Sequence, residues 1–242
     1  MIGIVELILY RLKTGCQWRE LPMKAHLEDP YSWQSVFHYF NKWSLDGSWE
    51  RVWQHLIGRF RACLDLSSVQ VDGSHTRTRN HGQAIGYQGR KGSNTSNALY
   101  MSDNQGVVPG MSEPESGQHH DLFDIEKHLG ELFEAVQGLG LSLEGLFLNA
   151  DAGFDSEAFR NTCQAQEIEP NVALNPRNGA ISDRDEYFDD QLYKQRTVIE
   201  RAFSVLDSYK TLLIRFEITA RNWNIIGFIV HFIKILQKRK KL

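Results

Sequence analysis

The stretch Ser67-Ser68-Val69-Gln70-Val71-Asp72-Gly73-Ser74 decides how this chain is read. Val69 and Val71 alternate with Ser68 and Gln70, the two-residue period of a strand with one buried face. Asp72 then meets Gly73, a residue that lets the backbone turn away, so the spacing predicts a strand ending on Asp72. The pattern returns at Leu146-Phe147-Leu148-Asn149-Ala150-Asp151, with Gly153 two residues on. In open α/β sheets ligands bind outside the carboxyl ends of strands, so two aspartates placed there are candidates for one shared site. Each also suits the cap of a following helix or turn.

A third acid lies further along. Leu192 to Asp207 reads as a helix, with Val198, Ile199, Ala202, Val205 and Leu206 in one apolar stripe. Tyr193, Arg196, Glu200 and Asp207 gather on the other side, with only Phe203 among them. Arg196 stands one turn before Glu200, where it holds the carboxylate ionised or contacts a phosphate.

Taken together, Asp72, Asp151 and Glu200, with Glu200 inside Tyr193-x2-Arg196-x3-Glu200, resemble the acidic triad and signature of DDE transposases of bacterial insertion sequences. The likeness is to the insertion-sequence-five type, on Thr14-Gly15-Cys16-Gln17-Trp18-Arg19-Glu20-Leu21-Pro22, on Asn149 to Asp155 and on Asn175-Pro176-Arg177-Asn178. It extends from Leu7 to Phe232. One position departs: related branches carry a lysine seven residues after the glutamate, whereas this chain has Asp207, with Lys210 three further on.

The resemblance implies an α/β fold, a ribonuclease-H-like mixed sheet flanked by helices and preceded by a small N-terminal helical bundle. It divides the chain into a helical region at 1–65 and a catalytic domain at 66–242 with a basic C-terminal helix. It implies a transposase that cuts DNA at the ends of an element and joins them to target DNA. Asp72, Asp151 and Glu200 would hold two Mg²⁺ ions, with Mn²⁺ as a substitute: Asp72 on both, Asp151 on one, Glu200 on the other. Water would attack first, and the freed 3′ hydroxyl would then attack the target. The expected partners are double-stranded DNA, as terminal inverted repeats and target, and a second copy of the chain on DNA. Two rival readings stay open. One is another ribonuclease-H-like nuclease acting on RNA, junctions or damaged strands; the other is a truncated DNA-binding remnant that has lost its chemistry.

Composition is compatible with these readings. The 242 residues, 41% of them hydrophobic, suffice for one sizeable domain and an appendage. Net charge is −3, but it is unevenly spread: residues 111–190 carry 4 basic and 18 acidic side chains, whereas residues 191–242 carry 11 basic and 3 acidic. Local positive charge is what nucleic acid requires, and the C-terminal fifth supplies it. Cys16, Cys63 and Cys163 are sparse and far apart, which suits reduced thiols in a cytoplasm. The first residues lack a signal peptide's basic region and cleavage site. The longest apolar segment, Trp223 to Leu236, includes His231 and Lys234 and is too short to span a bilayer.

From the start, Ile2, Val5, Leu9 and Leu12 predict a helix closing at Gly15. No capping residue precedes it, so the chain reads as beginning inside an element whose upstream part is missing. Ser32 and Ser48 are expected to cap two further helices with wide aromatic stripes. The three suit a helix-turn-helix or a packing platform equally. His75 to Arg79 and Gly86 to Gly92 predict a mobile loop whose cations, Arg77, Arg90 and Lys91 among them, are placed for phosphates, although a solvated loop would look similar. Asp103-Asn104-Gln105-Gly106 predicts a hairpin turn. His119-His120-Asp121 offers zinc-ligand types, but Asp121 reads rather as the N-cap of a helix from Leu122 to Val136. A helix over Phe154 to Gln166, a strand over Ile168 to Leu174 and a loop from Gly179 to Gln191 follow. Arg177 would lie on the aspartates' strand-end face. Arg196, Arg177 and Lys210 would hold the DNA strand, and Tyr193 either packs on a sugar or fills the helix interface. The terminal run Lys238-Arg239-Lys240-Lys241 is either a solvated end or a DNA contact.

Overall fold

The central strand does not stop at Asp72. In the computed structural model, which describes residues 1–26, 31–179 and 186–239 apart from the side chains of Cys63, Lys238 and Arg239, β1 runs Val69–Thr78. The reason is its neighbour: β3 (Ser93–Asp103) pairs antiparallel with it from Val69↔Asp103 to Arg77↔Thr95, so the ladder carries the backbone straight through Gly73. What stops near Asp72 is the parallel pairing with β6 (Phe147–Ala150), which joins Val69 to Leu148 and Gln70 to Asn149. The expected mobile basic loop is likewise ordered by pairing. His75 to Thr78 belong to β1, β2 (Gly86–Gln88) pairs with β3, and Gly89–Lys91 form a 3-10 turn.

Among the described residues eight strands form one mixed sheet, with the order β2-β3-β1-β6-β7 along its main path. β7 (Glu169–Val172) runs parallel to β6, and β4 (Gly110–Met111) and β5 (Glu115–Ser116) pair with β3. β8 (Ile214–Arg215) pairs with the far end of β1. The hairpin turn at Asp103 forms as the residues predict: the Asp103 carboxylate accepts the N–H groups of Gln105 and Val107, and Gly106 takes φ 73°.

Strand alternation sorts the two faces. Val69, Val71, Leu99, Met101, Leu148 and Ala150 bury against α5 (Ile125–Gly138) and α6 (Glu157–Gln164). α5 begins three residues later than the Leu122 start expected, because Asp121 does not cap it. The Asp121 carboxylate is drawn to the sheet, where Asn97 Nδ2 donates to it at 2.6 Å, and the N-cap position falls to Asp124 at φ 47°. The expected helix at Phe154–Gln166 splits into a 3-10 turn, Ala152–Phe154, and α6. Part of the loop expected from Gly179 to Gln191 and the side chains of the terminal basic run lie outside the described residues.

The opposite face carries Ala98 and Tyr100 into a second core with the N-terminal and C-terminal helices. α1 (Ile2–Thr14) closes on Gly15 at φ 70°, and a four-residue α2 (Met23–His26) follows. α3 (Trp33–Leu45) has Ser32 as its cap, accepting the Ser35 N–H. α4 (Ser48–Arg59) starts from Gly47 at φ 71°; Ser48 is not its cap, because its N–H and hydroxyl both turn to Asp46. The aromatic stripes are core. Trp49 stacks on Phe232 and Trp53 lies 6.2 Å from Phe228, both on α10 (Ala220–Arg239). Arg11 of α1 reaches Glu217 at 2.7 Å in a buried ion pair. Next to it the fully buried Arg215 donates to Ser96 Oγ and to the carbonyls of Gln83 and Glu217. Among the described residues no helix is long and apolar enough to cross a membrane, and Cys16 and Cys163 are free thiols.

Because the N-terminal helices share one core with α10 and the sheet, they and the sheet should unfold together. Trp53→Ala is expected to destabilise the whole molecule by about 3–5 kcal/mol. Urea denaturation followed by far-UV circular dichroism checks this: one transition moved to lower denaturant is expected, and a second transition for a surviving sheet would contradict the shared core.

Candidate active site

Asp72 projects from the polar face of β1, in the same row as Ser68 and Gln70. Its Oδ1 accepts the Gly73 N–H at 2.9 Å, and its Oδ2 accepts from Arg196 Nη1 at 3.1 Å. Asp151 follows the end of β6. The pairing Gln70↔Asn149 places each aspartate two residues beyond a paired amide, on neighbouring strands about 4.8 Å apart. Asp151 Oδ1 also accepts the Gly153 N–H at 2.7 Å, so it caps the 3-10 turn that follows and faces the site with the same carboxylate group.

The expected Glu200 helix is interrupted. α7 (Asp190–Tyr193) passes through one 3-10 turn, Lys194–Arg196, before α8 (Thr197–Asp207). Val198, Ile199, Ala202 and Leu206 bury as predicted, and Glu200 stays 61% exposed. Arg196 Nη2 lies 3.7 Å from Glu200 Oε1, so one guanidinium spans Asp72 and Glu200. Asp72 and Glu200 therefore share Arg196, and Asp151 lies near enough for its charge to act on Asp72 and on Arg196. Among the described residues no group of three His, Cys, Asp or Glu side chains is close enough to hold a metal as it stands.

The electrostatics match that geometry. Burial pushes the Asp72 carboxyl up to about 6; Arg196 opposes this, and the carboxylates of Asp151 and Asp121 add to it. Burial works against the charge of Arg196, yet Asp72, Tyr193, Asp151 and Glu200 together hold it above its ordinary value.

The expected DNA-contacting residues fall in separate places. Arg77, Arg90 and Lys91 are exposed at one edge, where the Arg77 guanidinium reaches the Lys91 carbonyl at 3.5 Å. Burial and the nearby Lys91 and Arg90 hold the His75 imidazole below its usual range, against the pull of Asp121. Arg177 is exposed on the 3-10 turn Pro176–Asn178. Tyr193 packs 5.2 Å from Phe188, with Arg196 over its ring at 5.9 Å. Lys210 opens α9 (Lys210–Leu213), and its Cβ lies against Gly15, at the end of α1.

Asp121 is the acid that sequence reasoning assigned elsewhere. A Cβ at position 73 would stand 2.2 Å from its Oδ1, so Gly73 is the residue that admits this carboxylate behind Asp72. The signal was the glycine, read as a turn instead of a close approach.

A family model described as "DDE superfamily endonuclease" matches residues 67–237, and one described as "Putative transposase of IS4/5 family" matches residues 2–53. The chain is similar to an insertion element IS402 uncharacterized 16.2 kDa protein of Burkholderia cepacia, at 33% identity over 81 residues. That match covers 33% of this chain and 53% of the relative, so the chain spans about half the length of the curated protein it matches. Two solved structures share a loose likeness. The Mos1 mariner paired end complex with Mn matches at 14% identity and TM-score 0.33, covering 97% of this chain and 78% of the other. A pre-cleavage Mos1 transpososome matches at 11% identity and TM-score 0.34 with the same coverage.

Two predictions come from the geometry. Asp72 binds its proton more tightly when folded, at about 6, than at the ordinary 3.8. Its stabilising contribution is thus fully present below 3.8 and is lost as pH rises through about 6. In chelator, the wild type should lose up to about 3 kcal/mol more than Asp72→Asn between pH 4 and 7, read from urea denaturation. Parallel pH curves would show that Asp72 is not shifted. Gly73→Ala should cost about 1–3 kcal/mol by forcing the Asp121 carboxylate aside. Asp121→Ser in the same chain should recover most of that loss in thermal melting.

Proposed function

Because the chain belongs to the DDE superfamily of endonucleases, we propose that it is the transposase of an insertion sequence. In this reading it hydrolyses phosphodiester bonds at the ends of the element and joins the freed 3′ hydroxyls to target DNA. The observation that supports the reading is Arg196 held between Asp72 and Glu200, with the charge of Asp151 acting on both Asp72 and Arg196, all inside the matched span.

The residues suit a divalent cation. Burial pushes the Asp72 carboxyl up to about 6 against the pull of Arg196, and the carboxylates of Asp151 and Asp121 add to the push, so a cation bound there would relieve it. The donors are carboxylate oxygens, the hard ligands that Mg²⁺ takes and Mn²⁺ accepts. Asp72, Asp151 and Glu200 would hold the metal. When bound, it would neutralise charge developing on the phosphoryl oxygens and lower the pKa of an attacking water.

The protein's own groups do the rest. The ladder on β3 fixes the backbone from which the Asp72 carboxylate projects. Arg196 carries a planar fork of donors suited to two phosphate oxygens, and its present partners are anions of the same geometry. Arg77, Arg90 and Lys91 would track the backbone of double-stranded DNA without reading its bases. Hydrolysis breaks the P–O3′ bond as water adds to phosphorus, and strand transfer repeats the exchange with the 3′ hydroxyl as nucleophile. Two copies holding paired ends would supply both strands.

The test uses duplexes carrying the element's terminal inverted repeats in Mg²⁺. Asp72→Asn, Asp151→Asn and Glu200→Gln are each expected to cut strand cleavage by two to three orders of magnitude or so. Binding in a gel shift should stay within a few fold of wild type. A variant that cleaves at a near-normal rate removes its residue from the mechanism.

A further inference from the structure

Beneath the two aspartates lies a row of three amides, none of them exposed: Gln70 on β1, Asn149 on β6 and Asn171 on β7. The sheet register aligns them, Gln70 with Asn149 and Asn149 with Asn171. Each donates to the next. Asn171 Nδ2 donates to Asn149 Oδ1 at 2.6 Å, Asn149 Nδ2 to Gln70 Oε1 at 2.8 Å, and Gln70 Nε2 to Asn104 Oδ1 at 2.6 Å. Gln70 and Asn149 stand two residues before Asp72 and Asp151, hence one pleat below them on the same face.

The row is bound from outside by one segment. Asn171 donates to the Asp189 carbonyl at 3.0 Å and accepts the Asp189 N–H at 2.7 Å, and Asn149 donates to the Leu192 carbonyl at 3.2 Å. Ser68 at the edge donates to Gln195 Oε1 at 2.9 Å. The next residue after Gln195 is Arg196, and Glu200 follows one turn later. A segment that touches the sheet through apolar side chains can slide; one held at Asp189 and Leu192 by buried amides and at Gln195 by the buried Ser68 hydroxyl cannot, because a shift would strand buried donors.

We propose that Gln70, Asn149 and Asn171 are positioning residues that fix where Arg196 and Glu200 stand relative to Asp72 and Asp151. The inference rests on the reading of Glu200 as a metal-holding carboxylate. The amides touch neither substrate nor metal; they set the register of the segment that does, as outer hydrogen bonds orient ligands at metal sites generally.

Mn²⁺ binding is measured by electron paramagnetic resonance of the free ion, for wild type, Asn171→Leu, Glu200→Gln and the double variant. Each single change is expected to weaken binding by about ten- to a hundredfold. The double variant should bind no more weakly than the worse single one, since both act through one carboxylate. Losses that multiply would overturn the proposal, because Asn171 would then act by general loosening. Amide hydrogen exchange needs no metal and gives the second arm. Asn171→Leu should speed exchange in residues 189–201 while β1 and α5 keep their protection. A uniform increase, or none, would also overturn it. If Glu200→Gln leaves Mn²⁺ binding unchanged while exchange responds as expected, the metal role of Glu200 fails and the positioning stands. Should Asn171→Leu not fold, Gln195→Leu removes one tether from a half-exposed position and takes its place in both arms.

Discussion

Two parallel strands must keep one register for this molecule to have a site. Gln70 pairs with Asn149, and from that pairing Asp72 and Asp151 arrive level with each other on the same face. Side chains alternate along a strand, so a slip of one residue would send one aspartate into the apolar core and bring a valine or alanine up in its place. The apolar face prevents the slip. Val69, Val71, Leu148 and Ala150 are all buried under α5 and α6, and exchanging any of them with its polar neighbour would bury an amide or acid among hydrocarbon. Core packing on one side of the sheet thus sets the chemistry on the other.

The polar side then has its own problem, since a row of buried amides and a raised carboxyl is unstable unless something covers and satisfies it. The segment 189–200 does both. Its backbone takes up hydrogen bonds from Asn149 and Asn171, Gln195 accepts from the Ser68 hydroxyl, and Arg196 meets the Asp72 carboxylate. The 3-10 turn at Lys194–Arg196 lies between the Leu192 carbonyl that Asn149 holds and the buried Val198 and Ile199 of α8.

Much of this was legible in the sequence, and the limits are instructive. The alternation around Asp72 and Asp151, the stripe of α8, the Ser32 cap and the Asp103 turn are all local patterns, and each appears where the residues place it. The misreadings share one cause, a partner distant in sequence. Gly73 looked like a strand end because β3, which carries the strand onward, lies some twenty residues away. Asp121 looked like a cap because Asn97 and Gly73, which hold it, belong to other strands. The amides at Gln70, Asn149 and Asn171 read as ordinary polar alternation until three strands were aligned. The aromatic stripes of α3 and α4 carried no information on whether they faced a core or a groove, and α10 supplied the answer.

The departure at Asp207, where related sequences have a lysine, can be argued from the same contacts. A cation near the end of α8 would favour the carbonyl end of that helix's dipole, and Asp207 by itself opposes it. The cation comes instead from α1. Lys13 Nζ donates to the Ser208 carbonyl at 3.1 Å, just past the helix end, and lies 4.5 Å from the centre of the Tyr209 ring. Lys210 packs its Cβ against Gly15, which has no side chain to obstruct it. The first helix therefore supplies, at the end of α8, a charge that the helix itself lacks. The N-terminal helices are in this sense part of the catalytic domain's electrostatics as well as its core.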